Sequence, residues 1–548
     1  MKKCLFVLII SVFSVFALSA SQKLYDAASY EYRTVRQLCL MSGVSGPSSV
    51  TPVTENELKT ALDRIRTDKL PAGVIEEYQN IRELLFDVNE EFSMDFGVNI
   101  SPQVFIAEDY DSEDRNYFFM PYSEEKPSVE LGGRFGFGNN AFIEGYLPII
   151  NSPISKGMFM QSFAWLINHK NGTWNINGTN ATGMNAEVPF LVRGAIGNEW
   201  VNLVLGRTHH SIGTGYNGNL IIGDNFAYQE VMKLGFSSRN FNYNISYTHF
   251  DTQNGLLWFD TESFSGKNQI RIDHRFDIGI TDTFLLSADL CTLYFADSAF
   301  DPRYFNPLML AHNYYNYKED TVLTAGDEAN NLFGLSFDWV IIPGLKLGGQ
   351  FALDQYQTAF EDKDALPQAA GYLLNLSYTM SAGNSNVITL WGEYVHTSEY
   401  LYCNTKYNDA QMTSPNYNYD YILGYKRRDW QASSASYTGY PEGPSATVYA
   451  LGAEFDAHSI GLNVSGDISY TEKGSKGIYD PTLIPSDNKI KQKTLEISLS
   501  AEYELNKLVT FFGGASFRKI ENYRNIAGDD RLVPQAYMGC TVRLRYEK

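Results

Sequence analysis

Leu495-Glu-Ile-Ser-Leu-Ser-Ala-Glu-Tyr-Glu-Leu505 alternates without a break. Leu495, Ile497, Leu499, Ala501, Tyr503 and Leu505 fall on one parity, and Glu496, Ser498, Ser500, Glu502 and Glu504 on the other. Successive side chains of a β-strand point to opposite faces, so one face of this segment is apolar and the other carries carboxylates and hydroxyls. A soluble sandwich would use shorter strands and bury the apolar face in a core. A strand of about 9 to 11 residues between lipid and a wet lumen requires this pattern.

The same alternation recurs on both sides. Ile460, Leu462, Val464, Ile468 and Tyr470 alternate with Gly461, Asn463, Ser465, Asp467 and Ser469, and Phe92, Met94, Phe96, Val98 and Ile100 alternate with Ser93, Asp95, Gly97, Asn99 and Ser101. A last strand is expected from Gln535 to Tyr546, with Met538, Cys540, Val542, Leu544 and Tyr546 on one face. Counting such segments gives about 18 to 20, with an even number expected of one bacterial chain. The fold class is therefore an all-β, antiparallel transmembrane barrel of about 18 strands, occupying residues 91–548. Long loops are expected at 167–186, 295–330, 397–446 and 471–490.

Composition agrees. The mean hydropathy of -0.26 looks soluble, but every second barrel residue faces water. The 37 Tyr and 34 Phe suit two interfacial girdles. A net charge of -20 argues against nucleic acid and against polybasic docking on anionic lipid. Cys39, Cys291, Cys403 and Cys540 have no paired spacing and read as structural or free.

The first 90 residues differ. Met1-Lys2-Lys3, the apolar run Leu5 to Val15 and small residues to Ala20 read as a cleaved signal peptide over 1–20. Residues 21–90 carry 3.6-residue periodicity in three blocks. The first, with Leu24, Ala28, Val35, Leu38 and Cys39, ends at Gly43; the second starts at Thr54, with Glu57 at capping-box spacing; Pro71 opens the third. Three such helices bury too little alone, so they are expected to dock on the barrel from the periplasm.

Three segments resemble the Wzi-like capsule assembly family. In GRTHHSIGTGYNGNLIIGDN, Gly206, Arg207, Gly213, Gly215, Gly218, Leu220 and Asn225 match its pattern, while Ser211 and Ile212 stand where tryptophans would be and Thr214 replaces a proline. RYFNPL, Arg303 to Leu308, and GLSFDWVIIPGLKLGGQFALDQ, Gly334 to Gln355, are the others; Glu393-Tyr394 and Gly443-Pro444-Ser445 are fainter echoes. The resemblance implies an outer-membrane barrel with an N-terminal helical bundle that binds capsular polysaccharide at the cell surface.

On the residues alone, Arg207, Asn217, Asn219 and Asn225 on a glycine-rich loop either grip an anionic or hydroxyl-rich glycan or hold the loop inward, where it constricts the lumen. With Arg303, Asn306, Gln350, Asp354 and Glu393 they form the candidate glycan-binding or lumen network. Parity puts Gln350 and Asp354 in the lumen; Arg207 shares the parity of Leu203 and Leu205, so it reaches the lumen only through a bulge or turn. The loop from Tyr400 to Tyr440, dense in Tyr, Asn, Asp and Ser, suits sugars, although surface loops are polar in any case.

Adjacent His209 and His210 point to opposite strand faces and carry no second ligand spacing, so no metal is expected. Neither a cofactor nor an enzyme activity is expected. The expected partners are surface polysaccharide and outer-membrane lipid, with the protein as a monomer. The rival is a porin or substrate-selective channel favouring cations or neutral solutes, and a third reading is adhesion through the long loops. A filled lumen would argue against a channel.

Overall fold

The computed structural model describes residues 21–86, 92–108, 126–150, 164–170, 173–177, 191–225, 228–250, 268–296, 306, 328–355, 368–403, 422–426, 433–477 and 489–547. Eighteen strands form the wall. They are β1 Phe92–Ile100, β2 Val129–Phe137, β3 Ala141–Ile150, β4 Leu191–Gly197, β5 Val201–Thr208 and β6 Gln229–Ser237. Then come β7 Phe241–Phe250, β8 Asn268–Thr281, β9 Phe284–Ala296, β10 Glu328–Ile342, β11 Leu345–Gln355 and β12 Ala369–Gly383. The last six are β13 Asn386–Thr397, β14 Ala446–Ala457, β15 Leu462–Lys473, β16 Gln492–Asn506, β17 Val509–Glu521 and β18 Arg531–Glu547.

Each pairs antiparallel with the next, and β18 returns to β1 with Val542 opposite Ile100, so the eighteen-strand wall closes on itself. Above β1 the chain bends at Ser101-Pro102 and continues as Gln103–Glu108, which also pairs with β18 and runs parallel to Ala164–Lys170. That last segment hairpins onto Thr173–Asn177, so part of the loop expected at 167–186 is strand.

The parity reading holds along the wall. Leu499 is 57% exposed and Met538 62%, as lipid-facing residues of an isolated chain must be, while Asn375, Ser377 and Thr389 are buried on the inner face. Aromatic pairs mark both rims: Phe92 meets Phe137 and Phe284 meets Trp339 at one end, and Tyr394 meets Tyr449 at the other. At the first end the strands join by tight turns such as Pro343-Gly344, where Gly344 has φ 84. At the opposite end they join across 251–267, 297–327 and 398–445.

Helix α1, Tyr30–Ser42, starts at Ser29, whose side chain accepts from Tyr32 N, and ends at Gly43 with φ 80. The first periodic block is thus helical only from Tyr30: Leu24–Tyr25 instead pairs as a short strand with Val53–Thr54. Helix α2, Glu55–Leu62, carries the capping box of Thr54 and Glu57, and α3, Ile75–Phe86, follows a 3-10 turn after Pro71. Val35, Leu38, Leu58, Leu62, Ile81 and Leu85 make the helices' own core, joined by Val387 of the wall.

The helices sit on the tight-turn rim. Ser45 N donates to Asp282 O at 2.8 Å, Gly344 N to Leu40 O at 2.7 Å, and Ser385 N to Gly73 O at 2.6 Å. No helix among the described residues is long and apolar enough to cross a membrane. Cys39, Cys291, Cys403 and Cys540 form no disulfide, and the first three are buried.

Candidate functional site: a loop core inside the lumen

After β5 the chain turns inward. Ser211–Ile212 pairs antiparallel with Val50–Thr51, which the linker between α1 and α2 carries into the lumen, and Ile212 bridges to Ile222, closing the loop on itself. Gly213 has φ 127, and a Cβ there would lie 2.3 Å from both Asn219 Oδ1 and Gln350 Nε2. Gly218, at φ 135, would meet Pro441 Cδ at 2.5 Å. Side chains are excluded at both points, by backbone conformation and by space.

Wall side chains then take up the backbone groups that a buried loop must satisfy. Glu393 accepts from Tyr216 N at 2.7 Å and Asn217 N at 3.0 Å. Gln350 accepts from Leu220 N at 2.9 Å and donates to Asn219 Oδ1 at 2.6 Å, and that oxygen also accepts from Gly215 N at 3.0 Å. Asn375 donates to Thr214 O at 3.2 Å, and Thr214 Oγ1 donates to Asp338 at 2.9 Å. The Tyr216 ring stacks on Trp391 at 4.6 Å, and Arg36 of α1 donates to its hydroxyl at 3.2 Å.

Between this polar tip and the long-loop end lies a hydrophobic core within the barrel. Ile212, Leu220, Ile221 and Ile222 pack with Val50 against Cys291, Leu293, Leu332, Leu373, Val395 and Val448 of the wall. Leu401, Tyr402, Tyr437 and Tyr440 close it from the far side. Each buried Leu or Ile contributes about 1.5–3 kcal/mol, so the loop is seated by apolar burial and oriented by its hydrogen bonds.

Six of the nine candidate residues meet here. Asn217, Asn219, Gln350 and Glu393 hold the tip; Asp354 accepts from Tyr402 N at 2.9 Å; Asn225 donates to Tyr437 O and Gly439 O at 2.8 and 2.6 Å. Arg207 does not join them. No bulge interrupts its strand, so it stays on the outer face with Leu205, paired with Glu230 at 2.7 Å and stacked over Tyr228 at 4.1 Å. Asn306 is exposed, and Arg303 lies outside the described residues, as does most of the Tyr400 to Tyr440 loop.

Lumen cations outside the candidate network tie the N-terminal segment down. Arg193 pairs with Asp26 at 2.6 Å and Glu144 at 2.7 Å; Arg275 binds Asp289 at 2.8 Å and donates to Ser49 Oγ at 3.2 Å; Lys233 donates to Pro52 O. Their signal was present as Arg271, Asp273, Arg275 and Asp277 at every second position of β8. The two histidines part as expected: His209 faces Asp224 at 3.3 Å, while buried His210 meets Thr51 O at 2.6 Å. Burial, with Arg271 next and Lys233 further off, pushes the His210 imidazole down to about 3. Most groups of this network are occupied with one another, Asn217 Nδ2 being an exception that is buried without a partner among the described residues, so its chemistry is that of a fixed plug.

No protein-family model matches this chain. No curated protein matches it. Among solved structures, it superposes on that of Wzi, described as an outer membrane protein involved in group 1 capsule assembly in Escherichia coli and a carbohydrate-binding β-barrel. The match covers 95% of this chain and 99% of that one, with a TM-score of 0.54 and 15% identity. The outer membrane protein OprD of Pseudomonas aeruginosa aligns over 83% of this chain and 94% of its own, at TM-score 0.39 and 12% identity. A loop-deletion mutant of OmpT from Vibrio cholerae aligns over 83% and 100%, at TM-score 0.33 and 8% identity. With an end-to-end match to Wzi and a closed wall of eighteen strands, the chain has the fold of an outer-membrane β-barrel.

Proposed function

We propose that this protein is a non-enzymatic, monomeric outer-membrane barrel that holds surface polysaccharide at its long-loop end. The observation that carries the proposal is the apolar core inside the lumen. A wide diffusion pore has no use for a loop seated by four buried aliphatic side chains, whereas a surface-binding barrel needs its outer end held rigid. The likeness to a carbohydrate-binding barrel over nearly the whole chain supports the same reading. Outer-membrane barrels keep short turns in the periplasm and long loops outside, so the helices on the tight-turn rim belong to the periplasmic side.

In this reading Asn219, Gln350 and Glu393 shape the platform, and the sugar rests on what the plug and the long connections present outward. The test is direct binding of the folded, detergent-solubilised protein to polysaccharide extracted from the same cells. Saturable binding that boiling abolishes is expected. Equal retention of folded and boiled protein, or none of either, refutes the proposal.

A further inference from the structure

The fillings of the barrel lean on the wall from β3 to β14, with the N-terminal segment held by Arg193 of β4, Lys233 of β6 and Arg275 of β8. The apolar core takes its wall residues from β9 to β14, and the loop tip bonds to β10 through β13. The helices bond to the turns at Asp282, Gly344 and Ser385, on the same side.

Strands β15 and β16 are treated differently. Every lumen-facing position of β16 from Gln492 to Glu504 keeps solvent exposure, and Ser465, Asp467 and Ser469 of β15 do too. Their polar groups are satisfied across the two strands and by β17: Ser465 and Ser500 lie 2.6 Å apart, Ser498 donates to Asp467, and Arg518 pairs with Glu496 at 2.8 Å. Twelve residue steps of strand cover about 40 Å, or about 30 Å along the normal at a tilt near 40°, which is the thickness of the hydrocarbon core. A polar inner face wetted over that length, beside an apolar plug, is what a water-filled gap along the wall would leave.

We infer that the β15–β16 seam is a narrow aqueous passage past the plug that conducts small hydrated cations. Asp467, Glu496, Glu502 and Glu504 line it against Arg518 and Lys126, so carboxylates outnumber cations. Lys126 comes from the segment before β2, lies 3.1 Å from Glu502 and stands 4.3 Å above the Phe512 ring. It therefore sets a positive charge in the lower part of the route, where it tempers selectivity. This inference does not rest on the polysaccharide reading.

The test is planar-bilayer recording of the full chain under a KCl gradient, on protein first shown to be folded by heat-modifiable migration. Small current steps with a reversal potential on the cation side are expected, and Lys126→Gln should shift that potential further the same way. To avoid a folding defect, Ser500→Cys in a Cys540→Ser background is labelled after insertion with a bulky thiol reagent, with modification confirmed by mass. Labelling should cut the current several-fold. Absence of current from folded protein, anion preference, or current unchanged by complete labelling of Ser500→Cys would each overturn the inference.

Discussion

Glu393→Ala removes the carboxylate that receives two backbone N–H groups of the loop tip, from Tyr216 at 2.7 Å and Asn217 at 3.0 Å. Glu393 is only 5% exposed, so water does not readily replace it. Hydrogen bonds to a charged acceptor are worth about 1.5–3 kcal/mol each, so losing both costs roughly 3–6 kcal/mol of tip docking, or about two to four decades in the local opening constant. The β13 ladder does not depend on this side chain, because Glu393 is paired with Asn375 and Ala450 through backbone. Amide hydrogen exchange is the assay. Protection at residues 213–220 should collapse while that of β12 and β13 stays high and heat-modifiable migration is unchanged. Undiminished protection at the tip would refute the claim that wall carboxylates hold the loop.

Leu499→Arg and Ser500→Arg test the facing of β16. The first places a charge among lipid, at about 2–4 kcal/mol near mid-depth, and the second places it in the lumen for far less; equal losses of stability would contradict the parity. His210 gives a pH dependence with a defined sign. Its imidazole is held down to about 3 in the fold against about 6.5 in an unfolded chain, so the unfolded state takes up a proton that the fold refuses. Its contribution is present above about pH 6.5 and is lost as pH falls toward about 3. Exchange protection at Val50 and Thr51 should fall across that window and lose this dependence in His210→Asn; an identical profile in the variant would rule His210 out. Deleting residues 22–90 should leave a heat-modifiable barrel with a loosened loop, because Arg275 and Lys233 lose the Ser49 and Pro52 acceptors. Failure of that truncated chain to insert would show that the helices are integral to folding.

Period-two alternation in segments such as 495–505 was enough to read the barrel, because a wall between lipid and water imposes opposite chemistry on the two faces of every strand. It gave β1, β16 and the facing of β18 nearly residue by residue. The capping box at Thr54 and the glycine stop at Gly43 were legible for the same local reason. Leu24 misled, because helical spacing over a few residues is also met by a strand that pairs with a distant partner, here Val53–Thr54. The site was legible in part. Parity put Gln350 and Asp354 inside and made Arg207 conditional on a bulge that is not there. That Ile221 and Ile222 seat the loop against Leu332 and Val395 is a long-range contact, which spacing along the chain does not encode.

The central claim is that residues 209–225 fill the lumen. It is tested most directly by comparing single-channel conductance of the intact chain with that of a chain in which 213–222 is replaced by a short linker, both shown to be heat-modifiable. The account predicts small steps from the intact protein and several-fold larger ones once the loop is gone, whereas equal conductance, large or absent in both, would contradict it.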